Sequence, residues 1–168
     1  MARLDAVVNA LNEMGAAMIR SSAELHRRFI MDKANLQQIA EIRVRDAEVL
    51  LAAGQWDAAY YLPGYSIECA LKACISKQFR QHEVPDKKPV NDFYTHKLDD
   101  LLNLSGVKSE MDANLRSKSL LGINWITVRD WNESTRYEVG TTEDIARSMY
   151  DAVTDTASGI LPRLKTQW

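Results

Sequence analysis

The stretch "RDAEVLLAAGQWDAAYYLPGYSIECALKACI", residues 45–75, decides the fold because it holds the end of one helix and most of the next. Apolar residues in its first part recur at helical spacing, and Gly54 is well placed to end that helix. The same spacing resumes at Trp56 after only a couple of residues. The two helices should therefore be antiparallel neighbours.

The second helix of this pair is predicted to lie at the centre of a bundle. From Trp56 to about Gln81, apolar residues cover most of its circumference, which is typical of a helix surrounded by other helices. Pro63 lies inside it and removes one backbone hydrogen bond, so we expect a kink or a distorted turn there.

Helical spacing continues on both sides, and no strand-like alternation of any length is present. Upstream, an amphipathic helix is predicted over about residues 4–30, followed by a helix that Asp32 caps. Downstream, a proline-containing loop precedes a short helix that ends at Gly106, a helix over about residues 109–131 and a last helix that begins near Thr141.

These elements predict an all-α protein, an antiparallel up-and-down bundle of five or six helices. Residues 1–31 are predicted to be an N-terminal amphipathic helix extension, and residues 32–168 the bundle itself. Apolar residues of the extension repeat every seven residues, so this helix either completes the core or packs on a second copy or a partner chain.

The composition is that of a globular protein with one core. The chain has 168 residues, of which 46 % are hydrophobic, and its formal net charge of −2 excludes bulk electrostatic binding of nucleic acid while leaving room for a local basic patch. Cys69 and Cys74 are expected to be reduced core residues. The histidines have no metal-ligand spacing with them. We find no signal-like or membrane-spanning run, so the prediction is a cytoplasmic protein that binds no membrane.

The central stretch resembles the HEPN family, whose second helix follows the pattern small-GY-x-x-E-x-x-LK-A. The matching residues are Gly64, Tyr65, Glu68, Leu71, Lys72 and Ala73. The later "YTHKLDDLL", residues 94–102, resembles the family's H-x-L-x-x-L helix, and Trp131, Arg136 and Tyr137 match its W-x-x-x-x-RY. The resemblance covers about residues 35–165, so the predicted N-terminal helix lies outside it.

The resemblance implies a helical bundle that often dimerises. Many members are ribonucleases that act as toxins or in phage defence and need no metal. Others are accessory domains paired with a small nucleotidyltransferase. Catalytic members carry an arginine, usually followed by a polar residue, and then a histidine four to six residues after the arginine. A homodimer, a nucleotidyltransferase-type partner and an RNA or nucleotide ligand are the expectations that follow, with no cofactor.

The stretch "VRDWNESTRY", residues 128–137, fits this catalytic pattern in part. Arg129 and Asp130 match its first two places, but no histidine follows: the residues five to seven positions on from Arg129 are Ser134, Thr135 and Arg136. A guanidinium stays protonated and cannot serve as a base, although it can bind a phosphate or a developing negative charge. Arg20 and His26 have the required spacing by count, but six positions do not put them on one face of a helix.

Several neighbouring residues have two interpretations each. Glu68 and Lys72 are either a polar pair in a groove near Arg129 or a bridge, exposed or buried, that serves the bundle. The other expected binding residues are Trp131, Asn132 and Tyr137. They suit a ligand site, and they also suit a helix end, where Asn favours a turn and aromatic rings hold the following loop.

Two functions of different class follow, with a purely structural interaction protein as a third. The first is a HEPN-like RNA- or nucleotide-binding regulatory module, dimeric, paired with a nucleotidyltransferase partner and with weak or no catalysis. The alternative is a metal-independent endoribonuclease with an altered site, in which Arg129, Asp130 and Arg136 stabilise the attack of a ribose hydroxyl on its phosphate. The missing histidine favours the first.

Overall fold

A computed structural model of the chain describes residue 13, residues 32–79 and residues 91–168. The described helices belong to one compact unit, Asp32–Trp168. The predicted N-terminal helix with its seven-residue repeat lies outside the described residues, as do Arg20 and His26. The order of the described elements is α1 Lys33–Ala52, α2 Trp56–Ser76, α3 Leu98–Leu104, α4 Lys108–Ser117, α5 Leu120–Arg129, a 3₁₀ helix Glu133–Tyr137, α6 Glu143–Thr154 and α7 Ile160–Lys165.

The prediction of an all-α bundle is confirmed, since the described part of the chain contains helices and no strand. The predicted caps of the first helix are present: the carboxylate of Asp32 accepts a hydrogen bond from the Asn35 amide at 2.8 Å, and Gly54 follows the helix with a φ of +70°. Glycine adopts this left-handed backbone conformation without steric strain, and the resulting turn allows α2 to begin at Trp56.

Helix α2 occupies the centre of the bundle, as predicted. It packs against α1, α3, α6, α7 and the 3₁₀ helix, and residues Ile67 to Ile75 are buried without interruption. The Ser66 hydroxyl joins it to α1 by donating a hydrogen bond to the Ala40 carbonyl at 2.7 Å. The helix continues through Pro63, although this residue has no amide hydrogen to donate to the preceding turn.

Two of the predicted long helices are each divided in the structure. The segment predicted over residues 109–131 breaks between α4 and α5, where Lys118 adopts a left-handed φ of 53° and the Ser119 hydroxyl caps α5 by accepting from the Gly122 amide at 3.1 Å. The last helix breaks after Thr154, where an Asp155 carboxylate oxygen accepts from the Ala157 and Ser158 amides. In both places a side-chain oxygen replaces the helical carbonyl as acceptor.

The core collects around α2, and both cysteines belong to it. Cys69 and Cys74 are buried and free, and burial raises the pKa of the Cys69 thiol to about 12 and that of Cys74 to about 11. Among the residues that the structure describes, no helix is both long and apolar enough to cross a bilayer, and no group of candidate ligands could hold a metal ion.

Candidate functional site

Glu68 and Lys72 form a buried ion pair one turn apart on α2. The Lys72 ammonium lies 2.8 Å from the Glu68 carboxylate, and only 7 % and 4 % of the two side chains are exposed. The ring of Phe93 covers the ammonium at 5.7 Å. The interpretation as an exposed surface bridge is therefore wrong. Two charges withdrawn from water in this way need further partners to offset the cost of desolvation.

His96 supplies one such partner. Its Nδ1 lies 2.9 Å from the Glu68 oxygen that also accepts from Lys72, and 47 % of its side chain is exposed. A carboxylate can only accept, so Nδ1 carries the hydrogen between them. When this imidazole is neutral, its unshared pair is on Nε2, on the ring edge away from Glu68.

Sequence reasoning assigned His96 no role, although it matches the H-x-L-x-x-L pattern. The signal was present in the leucines that follow it. Leu98, Leu101 and Leu102 are all buried, and α3 packs on α2. Because these leucines pack α3 against α2, a histidine just before α3 must lie close to α2. The sequence does not show which residue of α2 it contacts, because His96 and Glu68 are 28 positions apart.

Arg129 lines an open cleft of about 280 Å³ formed by α3, α4 and α5. Its Nε is 3.6 Å from the carboxylate of Asp130, which is 81 % exposed, so this ion pair is weak. The cleft also holds a Lys108–Asp112 pair at 2.5 Å, and its full lining is Asp99, Leu102, Asn103, Lys108, Asp112, Leu115, Trp125 and Arg129.

Arg136 has a different setting, at the end of the 3₁₀ helix. Its guanidinium lies over the Tyr137 ring at 4.9 Å from the centroid. Hydrogen bonding to Tyr137, with a smaller contribution from Tyr61 on α2, raises the pKa of Arg136 above its usual value. The group is therefore a permanent cation, and both Arg136 and Tyr137 are exposed to solvent.

Trp131 and Asn132 hold this segment in place. Trp131 is 1 % exposed and packs on Gly64, where a Cβ atom would come within 2.3 Å of the indole. Its ring also contacts that of Tyr61 at 5.4 Å. Asn132 begins the 3₁₀ helix by accepting from the Ser134 amide at 3.0 Å. These contacts favour the interpretation as a packed helix end for both residues, because the Trp131 ring is buried in the core and the Asn132 amide oxygen is used to begin the 3₁₀ helix.

The predicted residues thus fall into three groups. These are the Glu68–Lys72 pair with His96, the cleft with Arg129, and Arg136 with Tyr137 and Tyr61. The partners of the two arginines differ: Arg129 lies beside Asp130 and lines the cleft, whereas Arg136 lies against Tyr137 and Tyr61. Sequence reasoning missed His96, Lys108 and Tyr61, all of which belong to these groups through tertiary contacts alone.

The chain matches no family model, no curated protein and no solved structure.

Proposed function

We propose that this chain is a HEPN-like regulatory module that binds RNA or a nucleotide, with weak or no catalysis. The resemblance of residues 45–75 supports it, together with the helical bundle in which the matching residues lie. The main supporting observation concerns Arg129, which lines an open cleft and whose nearest carboxylate, that of Asp130, is 3.6 Å away.

Arg129 is paired less closely than Arg43 and Arg147 are. Arg43 and Arg147 each have a carboxylate oxygen at 2.7 Å, one helical turn away. The corresponding distance for Arg129 is 3.6 Å, beyond hydrogen-bonding range. A phosphate that binds Arg129 therefore replaces only a weak contact with Asp130. It gains charge-assisted hydrogen bonds from the planar guanidinium.

The remaining lining of the cleft suits the other parts of a nucleotide. Lys108 is also in the lining, but its ammonium is already paired with Asp112 at 2.5 Å, so Arg129 is the main cation for a phosphate. Asn103 offers both an amide donor and an acceptor, and the carboxylate of Asp99 can accept from ribose hydroxyls or base amino groups. A volume of about 280 Å³ is at the lower end of small-molecule sites, and it fits a single nucleotide unit better than a folded RNA element.

Weak or absent catalysis follows from the chemistry of the two arginines. Neither guanidinium can take a proton from a ribose hydroxyl, so both are limited to binding and charge stabilisation. The resemblance further suggests a homodimer and a nucleotidyltransferase-type protein as the partner that such a module regulates, and both belong to this proposal.

The proposal is tested by titrating fluorescently labelled single-stranded RNA, and separately a labelled nucleotide, with wild-type and Arg129→Ala protein. Loss of a charge-assisted contact should weaken binding by roughly tenfold or more. Arg45→Ala is the matched control, because Arg45 is an exposed arginine on α1 that has no ion pair among the described residues. Equal affinities for all three proteins would contradict the proposal.

A metal-independent endoribonuclease is the second candidate, and the orientation of His96 favours it. In this reaction Nε2 of His96 takes the proton of a ribose 2′-hydroxyl, and the 2′-oxygen bonds to the adjacent phosphorus. The bond from phosphorus to the 5′-oxygen then breaks, and the imidazolium returns its proton to the leaving oxygen. Glu68 would hold the imidazole in the required tautomer.

Incubation of purified protein with total RNA separates the two candidates. The first predicts no cleavage beyond that of the Arg129→Ala variant. The second predicts cleavage that His96→Gln abolishes and that a control substitution of another histidine, His82→Gln, leaves intact. Cleavage that survives His96→Gln would exclude His96 as the base.

A further inference from the structure

A second pocket adjoins the cleft that Arg129 lines. It has a volume of about 260 Å³, and it is formed by α3 and the segment before it. Asn103 lines both the pocket and the cleft, so the two meet at this residue. We refer to the second pocket as the α3 pocket, and its lining is Asp92, Thr95, Asp100, Asn103 and Leu104.

The polar side chains of the α3 pocket are available to a ligand. Within the described part of the chain, the carboxylates of Asp92 and Asp100 and the amide of Asn103 make no hydrogen bond or ion pair. The Thr95 hydroxyl accepts from the Lys97 amide at 3.2 Å, which leaves its own hydrogen free to donate. The pocket therefore offers acceptors and a donor that the bundle itself does not use.

The cleft and the α3 pocket differ in charge. The cleft has two cations, Arg129 and Lys108, and two carboxylates, those of Asp99 and Asp112. The α3 pocket has two carboxylates and no cation in its lining. A ligand that spans both should therefore place its phosphate at Arg129 and its hydrogen-bond donors in the α3 pocket, because carboxylates repel a phosphate and accept from donors.

Carboxylates distinguish the four bases by the donors that each base presents. Guanine has two adjacent donors, N1–H and the 2-amino group, and the two oxygens of one carboxylate can accept from both. Adenine and cytosine have a ring nitrogen beside the amino group, and its unshared pair would face the negative charge. Uracil has a single N–H between two carbonyl oxygens. A pocket lined by unpaired carboxylates therefore favours guanine.

We propose that the α3 pocket binds the guanine base of a nucleotide whose phosphate lies at Arg129. Asp92, the less exposed of the two carboxylates, accepts from N1–H and the 2-amino group, and the Thr95 hydroxyl donates to O6. Asn103, which lines both spaces, then lies beside the ribose. This inference rests on the proposed function and names its nucleotide.

The volumes of the two spaces support a single ligand that spans them. About 260 Å³ and about 280 Å³ are each small for a ligand site, but together they fall within the usual range of about 300–1,000 Å³. A metal ion is a poorer occupant of the α3 pocket, because residues 32–79 and 91–168 place no group of three candidate ligand side chains where it could hold one. An organic ligand with adjacent donors fits these carboxylates better.

The main test is calorimetric titration of the full chain with the 5′-monophosphates of guanosine, inosine, adenosine, cytidine and uridine. Guanosine monophosphate should bind at least about tenfold more tightly than the adenosine, cytidine and uridine nucleotides. Inosine monophosphate lacks only the 2-amino group and should bind several-fold more weakly than guanosine monophosphate. The comparison is repeated with short single-stranded RNAs that carry one central guanine, adenine, cytosine or uracil between uracils.

The outcomes separate this inference from the proposed function. Binding that depends on Arg129 but shows no preference for guanine, in both ligand series, would overturn the α3 pocket and leave the proposed function standing. Failure to bind any of the nucleotides and RNAs would overturn both. A preference for guanine that inosine monophosphate reproduces in full would exclude the contact with the 2-amino group.

Two substitutions should affect the base and the phosphate separately. Asp92→Asn replaces one acceptor oxygen by a donor, so it should weaken guanosine monophosphate at least about tenfold and adenosine monophosphate less than about twofold. Arg129→Ala should weaken both nucleotides by the same factor. Asp144→Asn on α6 is the control for the change in net charge, because Asp144 is also exposed and has no ion pair among the described residues.

The assignment to Asp92 is overturned by either of two results. One is an Asp92→Asn variant that keeps the full preference for guanine. The other is loss of that preference in Asp100→Asn with Asp92→Asn unaffected, which would give the base contact to Asp100. Circular dichroism of each variant shows whether the bundle is folded, and the titrations of the wild-type protein test the pocket without any substitution.

Discussion

Helices α2 and α5 have similar patterns in the sequence and opposite surroundings in the structure. Both are apolar on more than one side. Around residues 66–75 of α2 the bundle closes completely, so that even Glu68 and Lys72 are buried. Around α5 it closes on one side only, and Leu120, Ile123 and Ile126 face outward. An apolar circumference therefore marks the centre of a bundle in one helix and an exposed apolar surface in the other.

The largest expected effect comes from opening the buried ion pair of α2. Lys72→Met removes the counter-ion of a carboxylate that is 4 % exposed, and it should lower the free energy of unfolding by about 3–5 kcal/mol. The double variant Glu68→Leu with Lys72→Met removes both charges and should recover most of this loss. Urea denaturation measures the difference, and a single variant as stable as the wild type would show that the pair is not buried in solution.

Two isoleucines give the next largest contrast. Ile67 on α2 is completely buried, and Ile67→Ala should cost about 2–5 kcal/mol of unfolding free energy through lost contacts and the cavity left behind. Ile123→Ala on α5 should cost less than about 1 kcal/mol, because Ile123 is 48 % exposed. Comparable losses at the two positions would mean that α5 is covered within the monomer, and the distinction between the helices would disappear.

Thiol reactivity gives the smallest and most local contrast. Burial raises the pKa of Cys69 to about 12 and of Cys74 to about 11, so few thiolates form below those values, and the reagent has little access to either. Both should react with iodoacetamide in the native state far more slowly than in the unfolded chain. A cysteine introduced by Ile123→Cys should react readily, because this position is 48 % exposed. Rapid labelling of the native cysteines would contradict the burial of α2.

Local signals in the sequence predicted much of the fold. Gly54, the cap Asp32 and the apolar circumference of α2 each act within a few residues, and the structure confirms all three. The break between α4 and α5 was missed because a lysine, Lys118, adopts the left-handed conformation that glycine or asparagine usually signals. The break after Thr154 depends on one aspartate that could equally have continued the helix.

The candidate site was predicted less well because its contacts join distant parts of the chain. The sequence identified Glu68 and Lys72 as a pair, since they are one turn apart, but whether that pair is exposed depends on the helices packed around α2. His96 reaches Glu68 across 28 positions. The direction of Arg136 depends on the 3₁₀ helix that Asn132 begins, and this turn brings its guanidinium to Tyr61 on α2.

The short connection at Gly54 has a consequence for the order in which the chain folds. Helices α1 and α2 are separated by three residues, so closing their hairpin costs little chain entropy. The contact that Cys74 of α2 makes with the Leu164 carbonyl of α7 spans 90 positions. During synthesis the hairpin can therefore form as soon as α2 has left the ribosome. The apolar side of α2 that α7 covers stays exposed until α7 has also been synthesised.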